Sequence, residues 1–156
     1  MMFGLLAALV LTADDTGNAA PATRPNLLKS ATVRRAEGLP KISLLADGVA
    51  STDGDIWDNK RAAIFEQGGV AEWDLGQQET IAGMRLQADN NDRYELFGSL
   101  DGEKWFPIWV AGPVDLPGVQ TRTSSPLRSI ARYLRLTASG GDSKYSLTEL
   151  EVFDSA

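Results

Sequence analysis

The chain has 156 residues, 43% hydrophobic and 23% charged, which suits one domain with one core and excludes disorder for most of its length. The formal net charge is −6, and an acidic surface repels phosphate backbones and anionic lipid heads, so nucleic acid and direct membrane binding are poor functions for it. Cysteine and histidine are both absent, which excludes disulfides, thiolate zinc sites, cysteine nucleophiles and a Ser-His-Asp triad.

In chain order, Phe3 to Leu11 is an apolar run of the length of a signal-peptide core and too short to span a bilayer. It stops at Asp14-Asp15, and Ala20-Pro21-Ala22 has the small-x-small pattern of a cleavage site. Residues 1–25 are therefore read as a leader and linker, and residues 26–156 as an exported domain, secreted or held in the cell envelope. The end of a transmembrane helix is the other reading of the run. The lack of cysteine in an exported domain leans bacterial.

After residue 26 the chain is dense in turn residues and short apolar runs. Ile42 to Ala46 suits a single helical turn. Ala71, Trp73 and Leu75 alternate with Val70, Glu72 and Asp74, the period of a half-buried strand. Ile81 to Ala88 predicts a second strand, with Met84 and Leu86 facing one way and Arg85 and Gln87 the other. Arg93 to Ser99 predicts a third, and Asp101-Gly102 a tight turn. Trp105 to Val110 predicts a fourth, where Pro107 marks an edge or a bulge. Arg132 to Ala138 and Leu147 to Phe153 complete the set. Trp73 and Trp105 are expected in the core. Strands at this spacing make an all-β sandwich or barrel.

Several pieces occur together: Asn26-Leu27-Leu28 with Ser30-Ala31, Asp47-Gly48 with Trp57 beyond it, and Trp73-Asp74-Leu75-Gly76 with Ile81. Ser99-Leu100-Asp101-Gly102-Glu103-Lys104-Trp105 and Ala131 to Leu136, ending in Glu149-Leu150-Glu151-Val152, follow in order. From Asn26 to Asp154 the chain resembles the discoidin domain, or factor V/VIII type C domain. This is a galactose-binding-like jelly-roll β-sandwich that includes many carbohydrate-binding modules. The spacing from Asp47-Gly48 to Trp57 is longer than in its simplest members.

The resemblance implies one structural calcium, tying the first loop to the last strand. Carried over, Asp47 and Glu149 would be its carboxylate ligands, and carbonyls near Ala46, Val49 and Thr52, with that of Leu150, would complete the oxygen shell. The alternative is an Asx turn at Asp47 and a surface charge at Glu149.

The resemblance also implies a glycan or polysaccharide partner, bound by loops at one end of the sandwich. Asp89-Asn90-Asn91-Asp92 offers many acceptors and donors for hydroxyls, with Tyr94 directly behind it. The other reading is a tight, hydrogen-bonded turn between two strands, and the two combine if Asp142 or Tyr145 pairs against this loop inside the domain. Trp57, among Asp55, Asp58 and Asn59, is either a sugar platform or rim packing. Arg122 either forks onto a ligand or is solvated. The expected function is a non-catalytic glycan-binding module. The competing one is a structural or protein-interaction domain packed on a neighbouring protein domain, with no ligand of its own.

Overall fold

The computed structural model describes residues 24–155. The expected leader, up to residue 23, lies outside the described residues.

Nine antiparallel strands form two sheets among these residues: β1 (Thr32–Glu37), β2 (Ala63–Phe65), β3 (Val70–Ile81), β4 (Gly83–Asp89), β5 (Arg93–Ser99), β6 (Phe106–Ala111), β7 (Val119–Thr123), β8 (Ser129–Ser139) and β9 (Tyr145–Phe153). One sheet has five strands in the order β1-β3-β8-β5-β6, and the other has four in the order β2-β9-β4-β7. The non-sequential order is that of a sandwich wound by long connections, as the all-β reading requires. Ile42–Ala46 is a single 3₁₀ turn, as the sequence suggests.

Alternation builds the core. Trp73 of β3, Leu96 of β5 and Leu134 and Leu136 of β8 point inward from the larger sheet. Met84 and Leu86 of β4, with Leu150 and Val152 of β9, meet them from the smaller one. Asn26 ties the beginning of the domain to its end. Its side chain accepts from Leu28 N at 3.1 Å and Val152 N at 3.0 Å, and donates to Leu150 O at 2.8 Å.

β4 and β9 depart from clean alternation. Tyr145 through Leu150 are all buried, and so is Gln87. The physical reason is a loop, residues 47–62, that lies over the outer face of the smaller sheet.

Three strands lie outside the six predicted. β1 and β7 carry Arg34, Arg35 and Arg122 among polar neighbours, and β2 has three residues. All three are edge strands, where one side is left unpaired and the apolar pattern is weak. Pro107 falls on β6, itself an edge strand, beside a register shift between Leu96 and Phe97, as expected. Trp73 is buried, but Trp105 is not in the core. Trp105 precedes β6 and is half-buried, with the Arg135 guanidinium 3.9 Å above its ring. A cation on the ring face replaces core packing there.

Candidate functional site

The loop over the smaller sheet encloses an open cleft of about 350 Å³. Its floor is the outward side chains of three strands: Arg85 and Gln87 of β4, Thr121 of β7, and Glu149 and Glu151 of β9. Its wall is Ala50, Ser51 and Asp53. Strand alternation projects Arg85 and Gln87 away from Met84 and Leu86, so the local pattern that builds the core also builds the floor.

Gln87 fastens the wall to the floor. Its Oε1 accepts from Ser51 N at 2.8 Å and from the Thr148 hydroxyl. Its Nε2 donates to Ser51 O at 3.0 Å and to Asp53 Oδ1 at 2.7 Å. Asp53 Oδ1 also accepts from Thr121 N at 3.0 Å and Thr121 Oγ1 at 2.8 Å. Burial pushes the Asp53 carboxyl up, but these bonds and the Arg122 charge outweigh it and hold its pKa below the ordinary carboxylate value. Arg85 Nε donates to Glu151. Asp53, Arg85, Gln87, Thr121 and Glu151 were not singled out from the sequence as site residues. The signal was the run of outward polar side chains at alternate positions of β4 and β9, which reads equally well as a solvated face.

Asp47 and Glu149 meet at the rim of this cleft. Glu149 is 4% exposed, its Oε2 accepts from Gly48 N at 3.2 Å, and its buried Oε1 has no hydrogen-bond partner. Burial, the Asp47 charge and the Glu151 charge push its pKa up to about 7. Two facing carboxylates with an orphaned oxygen are a donor set that suits a hard cation. The rest of the expected shell is less free. The Thr52 carbonyl accepts from Asp55 N at 3.0 Å, and the Leu150 carbonyl accepts from Asn26. Asp47 Oδ1 accepts from Val49 N at 2.8 Å, which is the Asx turn of the alternative reading. Ala46 and Val49 flank the turn. The Lys29 ammonium lies 2.8 Å from the place a Cβ on Gly48 would take, with no ion pair to Asp47 or Glu149 within 4.0 Å. No cluster of three or more Asp or Glu side chains fit to hold a metal occurs among the described residues.

The other expected ligand residues gather elsewhere, and most are inside. Tyr94 and Asp92 are fully buried, and Asp89, Arg122 and Tyr145 nearly so. Tyr94 OH donates to Ser146 O at 3.0 Å and lies 3.3 Å from Asp92 Oδ2. Arg122 Nη2 donates to Asp89 O at 2.5 Å, with its guanidinium 5.6 Å from the Tyr94 ring centre. Tyr145 OH donates to Gly140 O at 3.4 Å. Tyr145 thus bonds Gly140 and not the Asp89–Asp92 loop, and the rings of Tyr94 and Tyr145 are buried and closed to a ligand. Of that group, Asn91 and Asp142 are exposed and Asn90 is half-buried.

This buried node is electrostatically loaded. Burial and the charge of Asp89 push Asp92 to a pKa of about 7, and burial lowers that of Arg122. Asp92 Oδ1, Arg122 Nε and Nη1 and Ser146 Oγ have no partner. Gly141 closes the node from outside. A Cβ there would sit 2.0 Å from Asp92 Oδ1, and its φ of 51° is in the left-handed region.

Trp57 is half-buried and stands outside the core. Beside it Ile56 is 64% exposed, and Leu116 on a neighbouring loop is 59% exposed. The two loops are pinned by Gly54 N to Val119 O at 2.8 Å and Val119 N to Asp55 O at 2.9 Å. Gly118 permits this approach, since a Cβ there would fall 2.3 Å from Asp55 O.

No family model matches the chain, and no curated protein matches it. Solved structures do. The CpGH89CBM32-6 module from Clostridium perfringens superposes with a TM-score of 0.61 at 17% identity, over 83% of this chain and 99% of that one. The CBM32 of AlyQ, in complex with 4,5-unsaturated mannuronic acid, gives 0.56 at 17% identity, over 78% of this chain and 93% of that one. Chitosan-binding module 1 of a Paenibacillus chitosanase/glucanase gives 0.55 at 21% identity, over 83% and 98%. The chain thus has the galactose-binding-like, discoidin-type fold of the CBM32 carbohydrate-binding modules, as its motifs suggest.

Proposed function

We propose that the protein is an exported, non-catalytic glycan-binding module whose sugar occupies the cleft over the smaller sheet. The observation that carries this is the cleft itself. Its volume of about 350 Å³ lies at the small end of the range for ligand sites, roughly 300–1,000 Å³, and its floor is polar side chains on rigid strands. The fold shared with carbohydrate-binding modules supports the same reading, although a fold alone does not decide a function. Trp57 and the exposed Asn91 lie beyond the cleft on loops that would meet a longer chain. The test is calorimetric titration of the full chain against a panel of oligosaccharides. Binding is expected for at least one, with Glu151→Ala and Thr121→Ala weakening it by about 5-fold or more. A panel without a binder would overturn the reading.

We also propose that Asp47 and Glu149 hold a calcium ion. Bound there, calcium would neutralise two adjacent carboxylates and fasten the Asp47-Gly48 turn to β9. The expected outcome is a rise in Tm with calcium over chelator that is lost in Asp47→Asn and in Glu149→Gln. A Tm indifferent to calcium in the parent chain would sink the site.

A second reading has its own observation. Asp89, Asp92, Tyr94, Arg122 and Tyr145 are bonded into the domain interior, as in a domain used for packing against a neighbouring protein. Failure of sugar binding with the fold intact would favour it.

A further inference from the structure

We infer that the cleft selects sugars that donate hydrogen bonds and carry no negative charge, and that it rejects uronic acids. The inference rests on the glycan reading above and names the class of sugar.

The argument is one of charge and of donor count. Three carboxylates line the cleft, those of Asp53, Glu149 and Glu151, against one cation, Arg85. That cation is already engaged, since its Nε donates to Glu151. Among the described residues neither Asp53 nor Glu149 has an ion-pair partner within 4.0 Å; Arg122 acts on Asp53 only through space. Asp53 Oδ1 is saturated by donors from Gln87 and Thr121, which keeps the carboxylate ionised. Glu149 Oε1 is buried at the cleft and has no donor at all.

Ionised carboxylates only accept hydrogen bonds, so their ligand has to bring donors. A hydroxyl both donates and accepts, and so satisfies Glu151 and the remaining N–H groups of Arg85 together. A uronate brings a third kind of group, an acceptor with a like charge, into a site short of donors. The exclusion does not depend on calcium. With the ion bound and neutralising Asp47 and Glu149, the lining still sets two carboxylates, Asp53 and Glu151, against Arg85. The AlyQ module was solved with an unsaturated mannuronic acid, so the shared fold does not by itself forbid acidic sugars.

The experiment titrates the full chain, with calcium present, against three oligosaccharides of equal length: a neutral mannan, an alginate and a chitosan fragment. The neutral or the amino sugar is expected to bind, and alginate at least ~10-fold more weakly, the equivalent of about 1.4 kcal/mol. The double variant Asp53→Asn, Glu151→Gln, checked as folded by its Tm, should narrow that gap, because it removes two negative charges and releases Arg85 from its ion pair. Raising the salt should narrow it too. Alginate binding as tightly as the others would overturn the selectivity while leaving the glycan reading in place. A gap unchanged in the double variant would overturn the cleft as its origin. Silence from all three sugars would overturn the glycan reading and this inference with it.

Discussion

The two sheets carry similar polar residues on their outer faces and use them differently. On the five-stranded sheet the face is open, and its charges pair with one another. Arg135 reaches Glu72 at 2.7 Å and Arg132 reaches Asp74 at 2.9 Å, both between β8 and β3. Arg34, projected by the bulge in β1, lies 4.5 Å from the Tyr133 ring centre. On the four-stranded sheet a loop covers the face, and the polar side chains bond to that loop instead. The same alternation thus yields an ion-pair lattice where only single side chains such as Trp105 lie above it, and a walled cleft where a whole loop does. The lesson is that the covering loop, and not the strand pattern, makes a site.

The comparison can be broken most sharply at the covered face. Gln87→Ala should cost about 3 kcal/mol in urea denaturation, because Ser51 N and the Thr148 hydroxyl lose their acceptor in a buried place. Gly141→Ala should cost as much, since its Cβ meets Asp92 in a left-handed turn.

The next largest effect is in pH, and its sign differs between buried and well-bonded carboxyls. Folded Asp92 and Glu149 hold protons to about pH 7, whereas unfolded carboxyls lose theirs near pH ~4. Between those values the folded state binds more protons, so stability should fall as pH rises through that window. Asp92→Asn should flatten one part of the slope in pH-dependent melts, and calcium the Glu149 part. Asp74, on the open face, is held low by its bond from Arg132. Its contribution is present above the ordinary carboxylate value and is lost only as pH falls through the lower folded value.

Smaller effects belong to the open lattice. Arg135→Ala removes a partner of Glu72 and the cation above Trp105, and should cost about 1 kcal/mol. Arg93→Ala, with a single exposed pair to Glu95, should change denaturant stability by less than about 0.5 kcal/mol. A loss at Arg93 equal to that at Gln87 would contradict the contrast drawn between the faces.

Much of the fold is legible in the residues themselves. The alternation of Ala71, Trp73 and Leu75, and of Met84 and Leu86, identifies two central strands, because a sheet with one buried face imposes a period of two. Edge strands escape that logic: β1 and β7 are mostly polar along one unpaired side. Trp105 misleads for a related reason, since a large ring reads as core whether it is covered by apolar neighbours or by a guanidinium.

The site divides in the same way. The Asp47-Gly48 turn meets Glu149 through Gly48 N, across 101 residues of chain. The Asp89–Asp92 run reads as a ligand loop, yet two of its four side chains turn inward: Asp92 Oδ2 meets the Tyr94 hydroxyl of β5, and the Asp89 backbone carbonyl is held by Arg122 of β7, partners invisible from composition.

What the sequence by itself determined is the class of fold, its central strands and the chemical types barred from the site, since these follow from local periodicity and from residues that are absent. Only the tertiary structure decided which polar side chains line the cleft and which face each other. That choice depends on what lies above each sheet, and on buried polar groups finding partners far away in the chain.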